Sequence, residues 1–148
     1  MKHFIISATI LLLIISSCES KLFLAEKSIS QIEKISLSEQ TRGTNRFFTL
    51  SHGKLEASLN GTSRTNELSP SDWSIILNDV EKVNIEEISK LDVQSTKRYS
   101  DAALASVITI TKNETEYQSP VFDSGNPPLE LKKLYNEIQR IIETKKSK

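Results

Sequence analysis

The sequence predicts an α+β domain, in which an antiparallel sheet of about four to six strands carries two amphipathic helices on one face. Three observations predict it. Apolar and polar residues alternate in the first half, two later segments carry apolar residues at helical spacing, and turns that contain glycine separate the short runs. Because each helix has a single apolar face, neither can be central, and both should pack on the same face of the sheet as a two-layer sandwich.

The first half of the domain predicts a meander of about three or four antiparallel strands. Residues 35–38 and 55–59 alternate apolar with polar side chains, and the run 47–50 is rich in residues that favour strands. Asn60-Gly61 is a strong signal for a hairpin turn. The polar segment 62–68 is either an edge strand or a loop.

The first helix is predicted to begin at Ser69, whose hydroxyl can accept the backbone N–H of Asp72. Asp72 can reach back in the manner of a capping box, and Pro70 takes the first helical position, where its missing N–H costs nothing. The residues that follow form one apolar face, and Asp79 is predicted to lie outside it. This face consists of Trp73, Ile76, Leu77, Val80 and Val83.

The second half predicts a short helical turn at 84–91, a long polar loop at 92–101, and then the most apolar strand of the chain at 102–111. The near-continuous apolar character of that strand indicates a central position. A hairpin turn follows at 112–115. Pro120 lacks a ladder donor, so the returning strand either ends there or lies at an edge. A second helix closes the chain, with an apolar stripe formed by Leu131, Leu134, Tyr135, Ile138, Ile141 and Ile142.

Composition excludes several classes of function. The 148 residues suffice for one domain, and their formal net charge of zero lacks the basic excess of a nucleic-acid-binding protein. The single cysteine cannot form an intramolecular disulfide. His52 lies in a predicted turn with no second histidine or cysteine at ligand spacing, and the sequence has no Gly-x-Ser-x-Gly motif. We therefore expect no cofactor, no metal site and no catalytic residue.

The N-terminal segment 1–18 predicts an export signal that ends at the only cysteine. Lys2 provides positive charge, residues 5–15 are largely apolar, and small residues occupy the cleavage point. This apolar run is shorter than the ~20 residues that a membrane-spanning helix needs. The run Ile15-Ser16-Ser17-Cys18 resembles the lipobox of bacterial lipoproteins. An ordinary secretory signal and an uncleaved anchor are the alternatives.

The lipobox resemblance implies that signal peptidase removes residues 1–17 and that Cys18 becomes a lipidated N-terminus. Its thiol would carry diacylglycerol and its new amine an acyl chain such as palmitate, and two or three chains make attachment effectively permanent. Glu19 follows the cysteine where an aspartate would favour the inner membrane, so the outer membrane of the cell envelope is expected. Residues 18–32 then form a tether, either a leash or a docked segment, and residues 33–148 form the folded domain.

Two polar segments, 39–46 and 92–101, carry the strongest suggestion of a binding site. The first is predicted as a connection centred on Gly43. If the strand order brings the segments together, they form a basic rim around an aromatic ring, which suits an acidic or carboxylate-bearing partner. In the structural alternative, the arginines pair with Glu39, Asp101 or backbone carbonyls and hold the loops. The candidate residues are Arg42, Arg46, Lys97, Arg98, Tyr99 and Asp101.

A family resemblance rests on segments 35–46, 98–106 and 122–135, which look like small envelope lipoproteins of Bacteroidota. Most of those proteins are uncharacterised, so the resemblance implies no activity. A more distant similarity is to emfourin-type inhibitors of thermolysin-like metalloproteases, which share the element order and a Pro-Pro-Leu-like start to the final helix. This chain adds a hairpin and a long loop to that pattern.

The sequence therefore predicts a lipid-anchored, non-enzymatic envelope lipoprotein that binds a partner. The expected partners are membrane lipid, through acylated Cys18, and an envelope protein or glycan, through the candidate segments. No nucleic-acid partner is expected. Inhibition of a metalloprotease and a structural role in envelope assembly are the alternative functions.

Overall fold

Within residues 32–100 and 102–146, which the computed structural model describes, a seven-stranded antiparallel sheet forms one layer and two helices form the other. The predicted α+β sandwich is confirmed. The signal segment and the tether up to residue 31 lie outside the described residues, and so do Cys18 and Asp101.

The strands occur in the chain as β1 Ile32–Thr41, β2 Thr44–Ser51, β3 Lys54–Leu59, β4 Thr62–Glu67, β5 Ala105–Lys112, β6 Thr115–Gln118 and β7 Phe122–Asp123. The helices are α1 Pro70–Val80 and α2 Lys132–Lys146, with short 3₁₀ helices at Ile85–Lys90, Lys97–Ser100 and Leu129–Leu131. The sheet order is β4-β3-β2-β1-β5-β6, and β7 pairs with the start of β5. The meander therefore has four strands, and the polar segment that follows Asn60-Gly61 is an edge strand.

Strand β1 lies between β2 and β5 and extends further than predicted. The expected polar connection at 39–46 is wrong, because the β1–β2 ladder continues through the pair formed by Glu39 and Arg46. A two-residue turn of Arg42 and Gly43 is all that remains of it. The physical reason is that Glu39 lies on the core side of β1, where buried hydrogen-bond donors meet it.

The two faces of the sheet differ in character. The face that meets the helices carries the buried apolar side chains Ile35, Leu37, Phe48, Leu50, Leu55, Ile108 and Ile110. The opposite face is rich in serine and threonine, as in the pair of Ser36 and Thr49, whose hydroxyl oxygens lie 3.2 Å apart. Both helices cover the apolar face, as their single apolar stripes predict.

Helix α1 begins where the sequence predicts. The Ser69 hydroxyl accepts the backbone N–H of Asp72 at 3.0 Å, and Pro70 occupies the first helical position. The Asp72 carboxylate accepts from the Ser69 hydroxyl at 2.7 Å, instead of from the backbone N–H of a capping box. It also accepts from Arg140 of α2 at 2.7 Å. The Ser69 hydrogen bond lowers the pKa of Asp72, burial opposes this in part, and Arg140 lowers the pKa further.

Asp79 is buried in the apolar face of α1, so its predicted place outside that face is wrong. The position follows Ile76 by three residues and precedes Val80, and it therefore points towards the core. The Asp79 carboxylate lies 3.2 Å from Nζ of Lys82 and 3.0 Å from Nζ of Lys133 at the start of α2. These two cations offset the cost of burying the charge and join the two helices.

The second half of the chain has the predicted order of elements, but the strand predicted at 102–111 begins at Ala105, and Lys97–Ser100 in the predicted loop forms a 3₁₀ helix. Strand β5 lies between β1 and β6, with Ile108 and Ile110 fully buried, which confirms its central position. Strand β6 ends at Gln118, before Pro120. All six apolar residues predicted for the last helix are buried. The predicted hairpin turn at Asn60-Gly61 is confirmed by positive φ angles of 52° and 88° at these residues.

Candidate functional site

The two candidate segments lie at the same end of the sheet. The β1–β5 ladder pairs Gln40 with Ala105, which places the β1–β2 turn beside the chain leading into β5. The β5–β7 ladder pairs Ala105 with Asp123 and so adds β7 to this end. The strand order therefore brings the turn at Arg42 and the 3₁₀ helix Lys97–Ser100 to one end of the molecule.

The buried carboxylate of Asp123 organises the segment before β5. It is 1 % exposed, and it accepts hydrogen bonds from the backbone N–H groups of Lys97 at 2.8 Å and Arg98 at 3.0 Å. The Ser95 hydroxyl and the Arg98 guanidinium, the latter at 3.0 Å, donate to the same carboxylate. A single side chain thus fixes both the backbone and the arginine of this segment.

The hydrogen bonds to Asp123 lower its pKa by more than burial raises it. Burial raises the pKa of this carboxyl group, but the Ser95 hydroxyl, the Arg98 amide and guanidinium, and the Lys97 amide together lower the pKa from 3.8 to about 2. The carboxylate therefore remains largely ionised in the folded protein at pH values where an ordinary aspartate is already half protonated. Its folded pKa lies below the unfolded value, so its contribution to stability is present above pH ~4 and is lost as the pH falls towards about 2.

The Arg98 side chain points inward and holds its segment. It is 9 % exposed and pairs with Asp123, whereas Asp101 lies outside the described residues. Its guanidinium also donates to the Ser95 carbonyl and, at 3.2 Å, to the Tyr99 hydroxyl. Burial lowers the pKa of Arg98, but the hydrogen bonds to Asp123 and Tyr99 outweigh it and raise the pKa overall. These contacts agree with the structural alternative in one respect, since the arginine donates to a backbone carbonyl, and they add the carboxylate of Asp123 as a partner.

Tyr99 is presented to solvent on this fixed segment. Its ring is 78 % exposed, the largest exposure among the large hydrophobic side chains of the described residues. The Arg98 guanidinium carbon lies 4.5 Å from the ring centroid, which is a cation–π distance. The Arg98 guanidinium thus contacts both the ring face and the hydroxyl of Tyr99, although water surrounds most of the side chain.

A second buried carboxylate, Glu39, anchors the other side of this end. Its Oε1 accepts from the Ser124 hydroxyl at 2.8 Å, from the Tyr135 hydroxyl at 3.2 Å and from the Gln139 amide at 3.0 Å. Its Oε2 lies 3.8 Å from Nη1 of Arg46, which is partly exposed. Arg46 is therefore a strand residue paired with Glu39, as the structural alternative proposed.

Three of the predicted site residues are exposed at this end of the sheet, and we call them the rim: Arg42, Lys97 and Tyr99. Of the other predicted site residues, Arg46 and Arg98 are held by buried carboxylates. His52 is exposed in the turn between β2 and β3, at the opposite end of the ladder. The structure thus reduces the predicted basic site to two exposed cations beside an aromatic ring.

Sequence reasoning named Glu39 only as an alternative partner of the arginines, not as a buried group, and it missed Asp123. Glu39 continues the alternation of Ile35 and Leu37, so its parity places it on the core side of β1. The alternation in the sequence therefore indicates that the side chain of Glu39 is buried. Asp123 follows the buried Phe122 in a two-residue strand, which is too short for a periodic pattern to show which way its side chain points.

Comparisons with known proteins add no family. No family model matches the chain, and no curated protein and no solved structure matches it. Within the described ranges, no group of three or more His, Cys, Asp or Glu side chains is placed to hold a metal ion. No helix in the described part of the chain has the length and apolar character to cross a membrane. The functional argument therefore rests on geometry.

Replacing Asp123 with asparagine should lower the free energy of unfolding by about 3 kcal/mol at pH 7, because the buried Arg98 then lacks its counter-charge. The difference from wild type should shrink as the pH falls from about 4 to about 2, where wild type also loses its charge. Chemical denaturation across this range measures both effects. Asp92→Asn, an exposed acid on the same segment, is the matched control, and equal losses in the two variants would contradict this role for Asp123.

Proposed function

We propose that the chain is a lipid-anchored, non-enzymatic module of the bacterial cell envelope that binds an acidic protein or glycan through the rim. Two independent features support the proposal. The run Ile15-Ser16-Ser17-Cys18 resembles a lipobox and supports attachment to a bilayer. The rim supports binding, since it offers two exposed cations and an exposed aromatic ring at the same end of the sheet.

The observation that carries the binding proposal is the held but exposed ring of Tyr99. Tyrosine and arginine dominate the energetically important positions of protein interfaces. A side chain that is already fixed loses little conformational entropy on binding, so more of its contact energy appears as affinity. The Arg98 guanidinium supplies this fixation from one side and leaves 78 % of the Tyr99 residue exposed.

Charge at this end of the sheet favours an acidic partner. Lys97 and Arg42 are exposed, whereas the carboxylates of Glu39 and Asp123 are buried and face internal donors. A partner that approaches the rim therefore meets the cations first. Exposed charges of this kind act mainly on the rate of encounter and on the choice of partner.

Mass spectrometry of the protein extracted from native membranes tests the anchor. The N-terminal peptide should begin at Cys18 and carry the mass of a diacylglycerol thioether, with an N-acyl chain on its amine. Cys18→Ser should abolish lipidation and cleavage together, so residues 1–17 should be retained. A native product whose Cys18 thiol is unmodified would contradict the anchor and leave the rim to be tested separately.

Site-specific photo-crosslinking in intact envelopes tests the rim. A benzophenone amino acid in place of Tyr99 should capture a discrete partner, and Lys97→Glu in the same chain should reduce the captured amount at least threefold. The same crosslinker in place of His52, in an exposed turn at the other end of the sheet, is the matched control. The binding proposal is contradicted if both positions capture the same species, or if the crosslinker at position 99 captures none. Arg98 is not substituted in this experiment, because losing its contacts with Asp123 would alter the conformation of the segment that carries Tyr99.

A further inference from the structure

A groove opens on the helix side of the sheet at the β3–β4 edge. The core-side residues of β3 become less covered along the strand: Leu55 is buried, Ala57 is partly buried and Leu59 is 40 % exposed. The last turn of α2, from Ile142 to Lys146, lines the groove opposite these residues. The helix layer therefore leaves part of the apolar surface of β3 open to a ligand.

The groove has an apolar floor and a basic margin, with a volume of about 280 Å³. The floor consists of Phe48, Leu55, Ala57, Leu59 and Ile142, and the polar margin consists of Arg64, Asn66, Lys145 and Lys146. These lining residues, all in the described part of the chain, include no carboxylate. The groove therefore suits a ligand that has an apolar chain and one negatively charged group.

Arg64 differs from two other cations of the sheet, Arg46 and Lys34, which pair with carboxylates. Arg46 pairs with Glu39, and Lys34 pairs with Glu116 at 3.4 Å. Arg64 instead lies opposite the small side chain of Ala57 in the β3–β4 ladder. Across residues 32–100 and 102–146, no hydrogen bond or ion pair reaches its guanidinium.

The two lysines of the margin have an ordinary explanation that does not extend to Arg64. Lysines in the last turn of a helix compensate the partial negative charge of its C-terminal carbonyls. Lys146 also pairs with Glu143 at 2.7 Å, but both side chains are exposed and such pairs are weak. Arg64 lies on an edge strand and is not itself part of a helix end.

We infer that this groove binds a medium-chain free fatty acid of about ten carbons, with its chain on the apolar floor and its carboxylate against Arg64 and Lys145. The volume lies just under the roughly 300–1,000 Å³ of most ligand cavities, so the ligand is small. At roughly 30 Å³ for a group the size of water, the groove accommodates about nine or ten such groups. An extended peptide fits less well, because the apolar floor offers little to satisfy its backbone polar groups.

This site is independent of the proposed function, since it shares no residue with the rim. Residues Gln31–Lys148 form one compact unit that holds the whole described core, so this unit is used for the test. It is titrated with decanoate by calorimetry at neutral pH, below the micelle concentration. Decanoate should bind with saturation at one site, and decanol, which has the same chain without the charge, should bind at least tenfold more weakly.

Substitutions test separately how the charge of Arg64 and the apolar floor of the groove contribute to decanoate binding. Arg64→Gln should weaken decanoate binding at least tenfold and Arg64→Lys at most threefold, while Lys90→Gln, at an exposed lysine outside the groove, should leave binding unchanged. Ala57→Leu should block the groove without altering any charge, and Leu59→Asn, which removes apolar floor at an exposed position, should also weaken binding.

Four results would overturn the inference. They are equal binding of decanoate and decanol, wild-type affinity in Arg64→Gln, binding to vesicles of anionic phospholipid without binding to decanoate, and a dimer that buries the groove. The third would make a membrane lipid the ligand, and the fourth would make a second copy of the chain the occupant.

Discussion

The buried carboxylate of Asp123 gathers donors from a segment that precedes it by 25 to 28 residues. An ionised carboxylate away from water costs several kcal/mol unless hydrogen bonds and an opposite charge compensate it. Here two backbone amides, a hydroxyl and a guanidinium do so, and the pKa of about 2 reports that they more than offset the burial. The conformation of the segment 95–100, and with it the position of Tyr99, depends on this one group.

Buried carboxylates distinguish one end of the sheet from the β3–β4 edge. At the β1–β5 end, Glu39 and Asp123 accept hydrogen bonds from polar groups of α2, of the turn after β7 and of the segment before β5. At the β3–β4 edge, the helix layer ends, and within the described residues no carboxylate pairs with Arg64. The first region therefore presents a fixed surface and the second an open groove.

Much of the fold was predictable because its signals are local. The alternation at Ile35 and Leu37, the turn at Asn60-Gly61 and the cap at Ser69 each depend on neighbours within a few residues. The site was less predictable, because Asp123 acts on partners far away in the chain. Arg98 lies in a 3₁₀ helix of four residues, which is too short for a periodic pattern to indicate that its side chain points inward.

Two polar residues within regular elements were misjudged for a different reason. The run around Glu39 was assigned to a loop from its polar composition, although its parity continued that of β1. Asp79 was placed outside the face of α1 for the same reason, and Lys133, its partner on α2, is distant in sequence. At both positions, the polar side chain was given more weight than the periodic pattern. The burial of a charged residue can be explained only when its partner, distant in sequence, is known.

Amide hydrogen exchange at Lys97 and Arg98 tests the central claim most directly. Both N–H groups donate to the Asp123 carboxylate, so they should be protected in the wild-type protein, and Asp123→Asn should reduce that protection by at least tenfold. The neighbouring amide of Ser95, for which no such bond to Asp123 is described, serves as an internal reference. If Lys97 and Arg98 exchange in the wild-type protein as fast as an exposed, unstructured segment, Asp123 does not hold the segment and the account of Tyr99 is contradicted.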